Sequence, residues 1–334
     1  MEFFIVADGV LLKRLTDILC EKVNAGVDVR LIYDGFGSHG TLSGKFKKEI
    51  KKAGIKLKVF KRLIPYFNVA QSYRDHRKII SIDGRVAYTG GINLADEYIN
   101  EKRMYGYWKD CGLKVEGSVV DGCTLAFLRQ WEYITKKKES YAPYLNLYAH
   151  QESGSVIVPY CDGPDRAEHV CKGVYTNIIA GANEKLYIMT PYFVPDETIM
   201  EVLAAKAKSG VDVRLIIPEI PDKKFVYYIT CSNAEKLVPA GVKVYKMRES
   251  FVHSKLILSE NCAAVSSANM DMRSFYQQFE FGIYTNDENS LAAIGEDFKN
   301  TIGESVQITE SNIGRRNLLK RIISGALQIF APLK

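Results

Sequence analysis

Apolar residues recur along the chain with two spacings that alternate. Leu11, Leu12, Leu15, Ile18, Leu19 and Val23 fall at helical intervals, which predicts a helix over 11–25 with one buried face. Residues 27–33 are β-branched and alternate, predicting a strand, and residues 56–60 predict a second. Residues 45–53 predict a basic helix, and the chain opens directly in a strand-like run, 2–6. The runs 79–82 and 86–89 flank Asp83-Gly84, a strong hairpin signal because both positions tolerate positive φ. Further on, 197–209 predicts a helix, and 211–217 and 242–246 predict strands. Strands alternating with helices predict an α/β protein, with a mixed sheet flanked by helices in each half.

The halves repeat one another. AGVDVRLI at 25–32 matches SGVDVRLI at 209–216, AGIK at 53–56 matches AGVK at 240–243, and HRK at 76–78 matches HSK at 253–255. Three pairs in the same order, at nearly constant separation, argue for a duplicated unit. The polar run Gln151-Glu152-Ser153-Gly154-Ser155 marks the boundary. The expected organisation is one lobe over 1–150, a second over 151–310, and a C-terminal helix over 311–334.

Composition narrows the class. With 334 residues, 47% of them hydrophobic and 25% charged, the chain can bury a core in each half, and disorder over most of its length is excluded. A net charge of +6 suits an acidic partner without choosing among phosphate, anionic lipid and nucleic acid. The seven cysteines are scattered and form no CxxC pair, which argues against a zinc site, a redox site or a disulfide framework. The cluster Lys45, Lys47, Lys48, Lys51 and Lys52 reads most simply as a solvated helix face.

The chemistry is carried by the repeated histidines. His76-x-Lys78 is followed by Asp83, Gly90-Gly91 and Asn93; His253-x-Lys255 is followed by Glu260, Ser266-Ser267 and Asn269. On a strand, alternate side chains share a face, so each motif presents one imidazole beside one fixed positive charge. A lone HxK carries little information, but two in register with an independent repeat carry much more. Such a set fits phosphodiester chemistry: one neutral imidazole attacks phosphorus, the other protonates the leaving alkoxide and then deprotonates the incoming alcohol or water. Lys78, Lys255, Asn93 and Asn269 would stabilise the non-bridging oxygens, without metal or cofactor. Each imidazole also needs a carboxylate on its second nitrogen. Asp110 and Glu280, each two residues before a glycine in a β-like run, are the candidates. His39, His150 and His169 lack such a context and read as surface residues.

These residues resemble the phospholipase D superfamily, whose paired signature is HxKx4D followed by glycine, serine and asparagine. RDHRKIISIDGRVAYTGGINLADEY at 74–98, YWKDCGLKVEG at 107–117, TPYFVPDETIMEVLAAKAKSGVDVRLIIPEIPD at 190–222 and HSKLILSENCAAVSSANMDMRSF at 253–275 are similar to bacterial cardiolipin synthases. The resemblance implies two pseudo-symmetric phospholipase D-like lobes sharing one active site. It implies transfer of a phosphatidyl group between two phosphatidylglycerol molecules, giving cardiolipin and glycerol through a phosphohistidine. A hydrolytic phospholipase D, a nuclease or an inactive membrane-binding homologue are the alternatives.

Carried over residue by residue, the catalytic set is His76, Lys78, Asp83, His253, Lys255 and Glu260, with His76 as nucleophile and His253 as acid/base. The pseudo-symmetry makes those two roles interchangeable on paper. The second motif departs from the pattern at Glu260 and Ser266, and runs 16 positions from histidine to asparagine against 17 in the first.

The stretch 311–334 has five basic residues and no acidic ones, and Leu318, Leu319, Ile322, Ile323, Leu327 and Phe330 form one stripe. It predicts an interfacial amphipathic helix on an anionic membrane containing phosphatidylglycerol and cardiolipin. The hydrophobic N-terminal spans usual in the family are not found here, and the opening strand suggests that a segment precedes it. The expected location is therefore peripheral on the bacterial cell membrane. No nucleic acid and no obligate protein partner are expected, since no basic groove interleaved with aromatics is visible.

Overall fold

The computed structural model describes residues 1–62, 71–147 and 154–311. Two sheets carry the fold. In the first, the strands run Lys56–Phe60, Arg30–Asp34, Glu2–Phe3, Ile79–Ile82, Val86–Gly90, Gly112–Glu116. In the second, Lys243–Met247, Asp212–Pro218, Lys185–Met189, Leu256–Ser259, Ala263–Ser266 and Gln278–Thr285 follow the same order. Ser305–Ile308 extends one edge, and Ile157–Asp162 pairs antiparallel with Gln278–Thr285. The repeat read from three short sequence matches is thus a repeat of strand order.

Local chemistry sets the helix ends. Ser43 caps the basic helix Gly44–Lys52 by accepting from the Phe46 N–H at 3.1 Å. Asp196 caps Glu197–Lys208 in the same way through Ile199. Helix Val10–Asn24 has no cap of its own; the Asp96 carboxylate accepts from Val10 and Leu11, each at 2.9 Å. The expected strand 2–6 is shorter than predicted. Only Glu2–Phe3 pairs as a strand, and Val6 makes an isolated bridge to Leu94.

Each sheet has its own core: Phe3, Leu12, Leu31 and Ile50 in the first half, Ile188, Leu203, Leu215 and Val244 in the second. A third cluster joins them, with Ile79, Val115, Val120 and Cys123 against Phe281 and Ile283. The halves are also stitched by main chain. Arg74–Asp75 runs parallel to Gln278–Phe279, and Tyr107–Lys109 runs parallel to Ser250–Val252. These two short ladders decide where the histidines sit.

The one-residue difference between the motifs is absorbed in the turns. Ile82 pairs with Val86 across Asp83-Gly84-Arg85, whereas Ser259 closes on Cys262 across Glu260-Asn261. Behind the turns the registers are identical in kind: Ile79 faces Thr89, and Leu256 faces Val265. The shortening therefore leaves both His–Lys pairs and both asparagines in matching places.

The amphipathic C-terminal helix expected over 311–334 lies, apart from Ser311, outside the described residues. So does the part of the expected boundary at 148–153. Among the described residues no helix is long and apolar enough to cross a membrane.

Candidate active site

His76 follows the strand Arg74–Asp75, and its N–H donates to the Phe279 carbonyl at 2.9 Å. That bond sets the imidazole beside the next residue of the partner strand. Nδ1 of His76 lies 3.0 and 3.1 Å from the two carboxylate oxygens of Glu280. The other half repeats the device. His253 N–H donates to the Lys109 carbonyl at 2.7 Å, and its Nδ1 lies 2.6 Å from Asp110 Oδ2. Chain order does not say which carboxylate serves which imidazole. The arrangement is crossed: each histidine is held by an acid from the other half. Each carboxylate accepts the Nδ1 proton and leaves Nε2 with its lone pair.

Lys78 and Lys255 are buried two positions after their histidines, in segments 76–78 and 253–255 that join strands and do not lie within the strand expected there. Their ammonium groups donate to the His76 and His253 carbonyls, respectively. Burial and the nearby lysines hold both imidazoles down, to about 4 for His76 and about 3 for His253, against the pull of Glu280 and Asp110. Burial also lowers Lys78 to about 7 and Lys255 to about 8. Glu280 and Asp110 stay below the usual carboxylate range; burial opposes this, but the facing histidines and lysines outweigh it. The centre therefore holds neutral imidazoles beside lysines that an anion would stabilise in their charged form.

His76, His253, Asn93 and Asn269 line one cavity of about 730 Å³ between the halves. Asn93 is partly committed: its Oδ1 accepts from Ile5 at 3.0 Å and its amide donates to Tyr98 at 2.7 Å. One amide proton remains for a ligand. Asn269 Oδ1 is buried without a partner.

Two residues expected in the catalytic set are not brought there. Asp83 sits at φ 54° in the exposed hairpin turn, with Gly84 at φ 65° after it. Glu260 sits at the matching turn, and its carboxylate accepts from the Asn183, Glu184 and Lys185 N–H groups at 2.8, 3.4 and 3.3 Å. It ties the start of strand Lys185–Met189 to the hairpin. Both are fold residues, since a turn lies at the opposite end of the hairpin from the histidine.

Gly91 and Ser267 stand in the repeated motifs, but the sequence assigns them no role. Ser267 donates to Glu280 and accepts from the Phe281 N–H. Its counterpart is Gly91, where any Cβ would lie 2.1 Å from Asp110 Oδ1. The shorter acid thus presses against a glycine, and the longer one is met by a serine. His253 is caged by Tyr98, Trp108 and Phe251 at ring separations of 5.4, 5.0 and 5.9 Å, and His76 meets Phe4 edge-on at 5.0 Å. Behind the site, Arg77 pairs with Asp75 and Glu2, at 2.9 and 3.0 Å, anchoring the strand that carries His76. Among the described residues no group of three or more His, Cys, Asp or Glu side chains could hold a metal ion.

Residues 4–103 and 175–302 match the family model described as cardiolipin synthase, PLD-like domain. The chain belongs to this phospholipase D-like cardiolipin synthase family. It is 40% identical over 335 residues to an uncharacterised protein of Streptococcus mutans, covering all of this chain and 72% of that protein. It is 36% identical over 336 residues to cardiolipin synthase 2 of Bacillus cereus, again over the whole chain but only 65% of that protein's length. Among solved structures, phosphatidylserine synthase of Haemophilus influenzae superposes with a TM-score of 0.75 at 14% identity, covering 99% of this chain and 87% of that one. Polyphosphate kinase of Porphyromonas gingivalis superposes with a TM-score of 0.58, also at 14% identity, over all of this chain and 48% of its own. At such identity the two show a shared fold.

Proposed function

We propose that this phospholipase D-family chain is a phosphatidyltransferase that converts two phosphatidylglycerol molecules into cardiolipin and glycerol. The observation that carries the reading is a pair of imidazoles on one cavity, each with Nδ1 held by a buried carboxylate and each beside a buried lysine. Relatives named cardiolipin synthase cover the whole chain.

In the proposed reaction, Nε2 of His76 attacks phosphorus. The P–N bond forms as the bond to the glycerol oxygen breaks, and His253 in its protonated form gives that oxygen a proton. The hydroxyl of a second phosphatidylglycerol then attacks the phosphohistidine. Its proton passes to His253, the P–N bond breaks, and cardiolipin leaves. Lys78 and Lys255, whose ammonium groups donate to the two histidine carbonyls, would supply the positive charge that offsets the non-bridging oxygens. Before substrate arrives, burial keeps His253 neutral. An arriving phosphodiester adds a negative charge between the lysines, which favours the protonated forms of all the bases around it.

The lipid would come from an anionic bacterial membrane on which the chain acts peripherally, through lobes spanning 1–150 and 151–310. The test is incubation with phosphatidylglycerol vesicles and analysis of products by mass. Cardiolipin plus free glycerol is the expected result. Phosphatidic acid alone would assign hydrolysis, and no turnover would reject the enzyme reading. Acid-quenched protein should carry the phosphatidyl group on residue 76, and His76→Ala should abolish it.

A further inference from the structure

The catalytic centre is nearly two-fold, but the cavity above it is not. Aligning AGVDVRLI at 25–32 on SGVDVRLI at 209–216 puts Ser38 opposite Asp222. Ser38 is spent inside the fold: its hydroxyl accepts from the Val6 N–H at 3.0 Å and donates to the Phe4 carbonyl at 3.2 Å. Asp222 instead lines the cavity that holds both histidines. One of its oxygens accepts from the Tyr192 hydroxyl. The other, Oδ1, is withdrawn from water and receives no hydrogen bond. Asp222 makes no ion pair among the described residues, although Lys223 follows it; the Lys223 ammonium lies over the Tyr192 ring, 5.3 Å from its centre.

A carboxylate is an unexpected lining group where phosphates must enter. It repels phosphate oxygens and accepts only from donors, and a buried acceptor without a donor is costly. A ligand that brings hydroxyl groups beside the phosphate would satisfy it. Its position names the step. Tyr192 packs against Phe251 at 6.5 Å, and Phe251 packs against His253 at 5.9 Å. Asp222 is therefore on the side of the cavity belonging to His253, the imidazole assigned to the alcohol.

We infer that Asp222, held by Tyr192, is a specificity residue that receives the free hydroxyls of a glycerol headgroup and sets the attacking one beside His253. This rests on the phosphatidyl-transfer reading above. It adds that acceptor choice is decided by the cavity carboxylate whose oxygen is buried without a donor. Two other carboxylates line the cavity, Glu97 from the first half and Asp271 from the second; Asp271 accepts from the Ser274 N–H at 2.7 Å, and among the described residues only Asp222 of the three has an oxygen buried without a donor.

The test is alcohol competition with the full chain on phosphatidylglycerol vesicles. Deuterated glycerol, methanol and ethanolamine are supplied together, and the labelled phospholipids are quantified by mass. A ratio of products within one preparation does not depend on how much protein is folded. The wild type should prefer glycerol to methanol, and Asp222→Asn and Asp222→Ala should each lower that ratio about tenfold, the value of one hydrogen bond to a charged group. Tyr192→Phe should lower it less. Ratios within twofold of the wild type in both Asp222 variants would overturn the inference while leaving transfer intact. A wild type that prefers ethanolamine, with the preference lost in Asp222→Asn, would overturn the polyol assignment. A wild type that makes no labelled lipid from any alcohol would reject the transfer reading itself, and this inference with it.

Discussion

His253 and Asp110 are 143 positions apart in the chain, yet Nδ1 of the one lies 2.6 Å from Oδ2 of the other. The ladder Tyr107–Lys109 with Ser250–Val252 brings them together. His76 and Glu280 repeat the relationship across the second ladder. Each histidine therefore has its Nδ1 partner in the other half, and the packing of the two halves also assembles the candidate site.

The crossed carboxylates should be needed for turnover more than for folding. Asp110→Asn keeps the shape but offers Nδ1 an amide, which removes the fixed tautomer and the charge that supports the imidazolium. A loss of about 10²-fold or more in cardiolipin formation is expected. Glu280→Gln should behave alike. Product analysis on vesicles measures the rate, and near-ultraviolet circular dichroism checks that the fold is kept. A loss below about threefold in both would show that the tautomers are set elsewhere.

The pairing of Gly91 with Asp110, and of Ser267 with Glu280, predicts unequal mutant effects. A methyl group at 91 would lie 2.1 Å from Asp110 Oδ1, so Gly91→Ala must push the acid away from His253 and should cripple the enzyme. Ser267→Ala removes one of several hydrogen bonds to Glu280 and should lower the rate only about tenfold. Equal effects in kinetic assays would contradict the geometry.

Much of the site is legible in the amino-acid sequence, for physical reasons that differ residue by residue. His76, Lys78, His253 and Lys255 declare themselves because the repeat fixes their register, although 76–78 and 253–255 join strands and do not themselves form the strand expected there. The helices 11–25, 45–53 and 197–209 lie within one residue of those observed at each end, since amphipathic spacing and caps are local. The crossing of Asp110 and Glu280 is not legible. It depends on which strand lies beside which across the halves, a contact that leaves no periodicity in either. Asp83 and Glu260 mislead for the opposite reason. They recur at fixed spacing after the histidine because a hairpin turn needs them, and spacing alone does not separate a turn residue from a reacting one.

The charge state of the centre predicts its pH dependence. His76 and His253 are neutral down to about 4 and about 3, so the free enzyme should keep its nucleophile across the mildly acidic range. Lys78 and Lys255 lose their protons near 7 and 8, so kcat/KM should fall as pH rises through that interval. Their depressed values also mean that the unfolded chain binds more protons there, so these two groups make stability rise with pH. Activity and stability should thus move in opposite directions between about pH 7 and 9. Parallel rate and melting profiles check this, and Lys255→Met should remove part of the stability slope.

The two turn acids give the sharpest contrast with the catalytic set. Glu260 is the common acceptor for three consecutive N–H groups at the start of Lys185–Met189. Its carboxyl lies below the usual range, against the effect of partial burial, because those backbone donors favour the charged form. A lowered acid contributes stability above its unfolded value and loses it as pH falls through the folded one. Glu260→Gln should therefore lower the melting temperature at neutral pH, by the equivalent of ~1 kcal/mol for a lost backbone cap, with a smaller difference near pH 3. Asp83→Asn should barely move it, because asparagine accepts the same positive φ. Both variants should keep the rate of cardiolipin formation within about twofold at a temperature where they are folded. A fall in turnover comparable to that of Asp110→Asn, with the melting temperature unchanged, would return these acids to the chemistry.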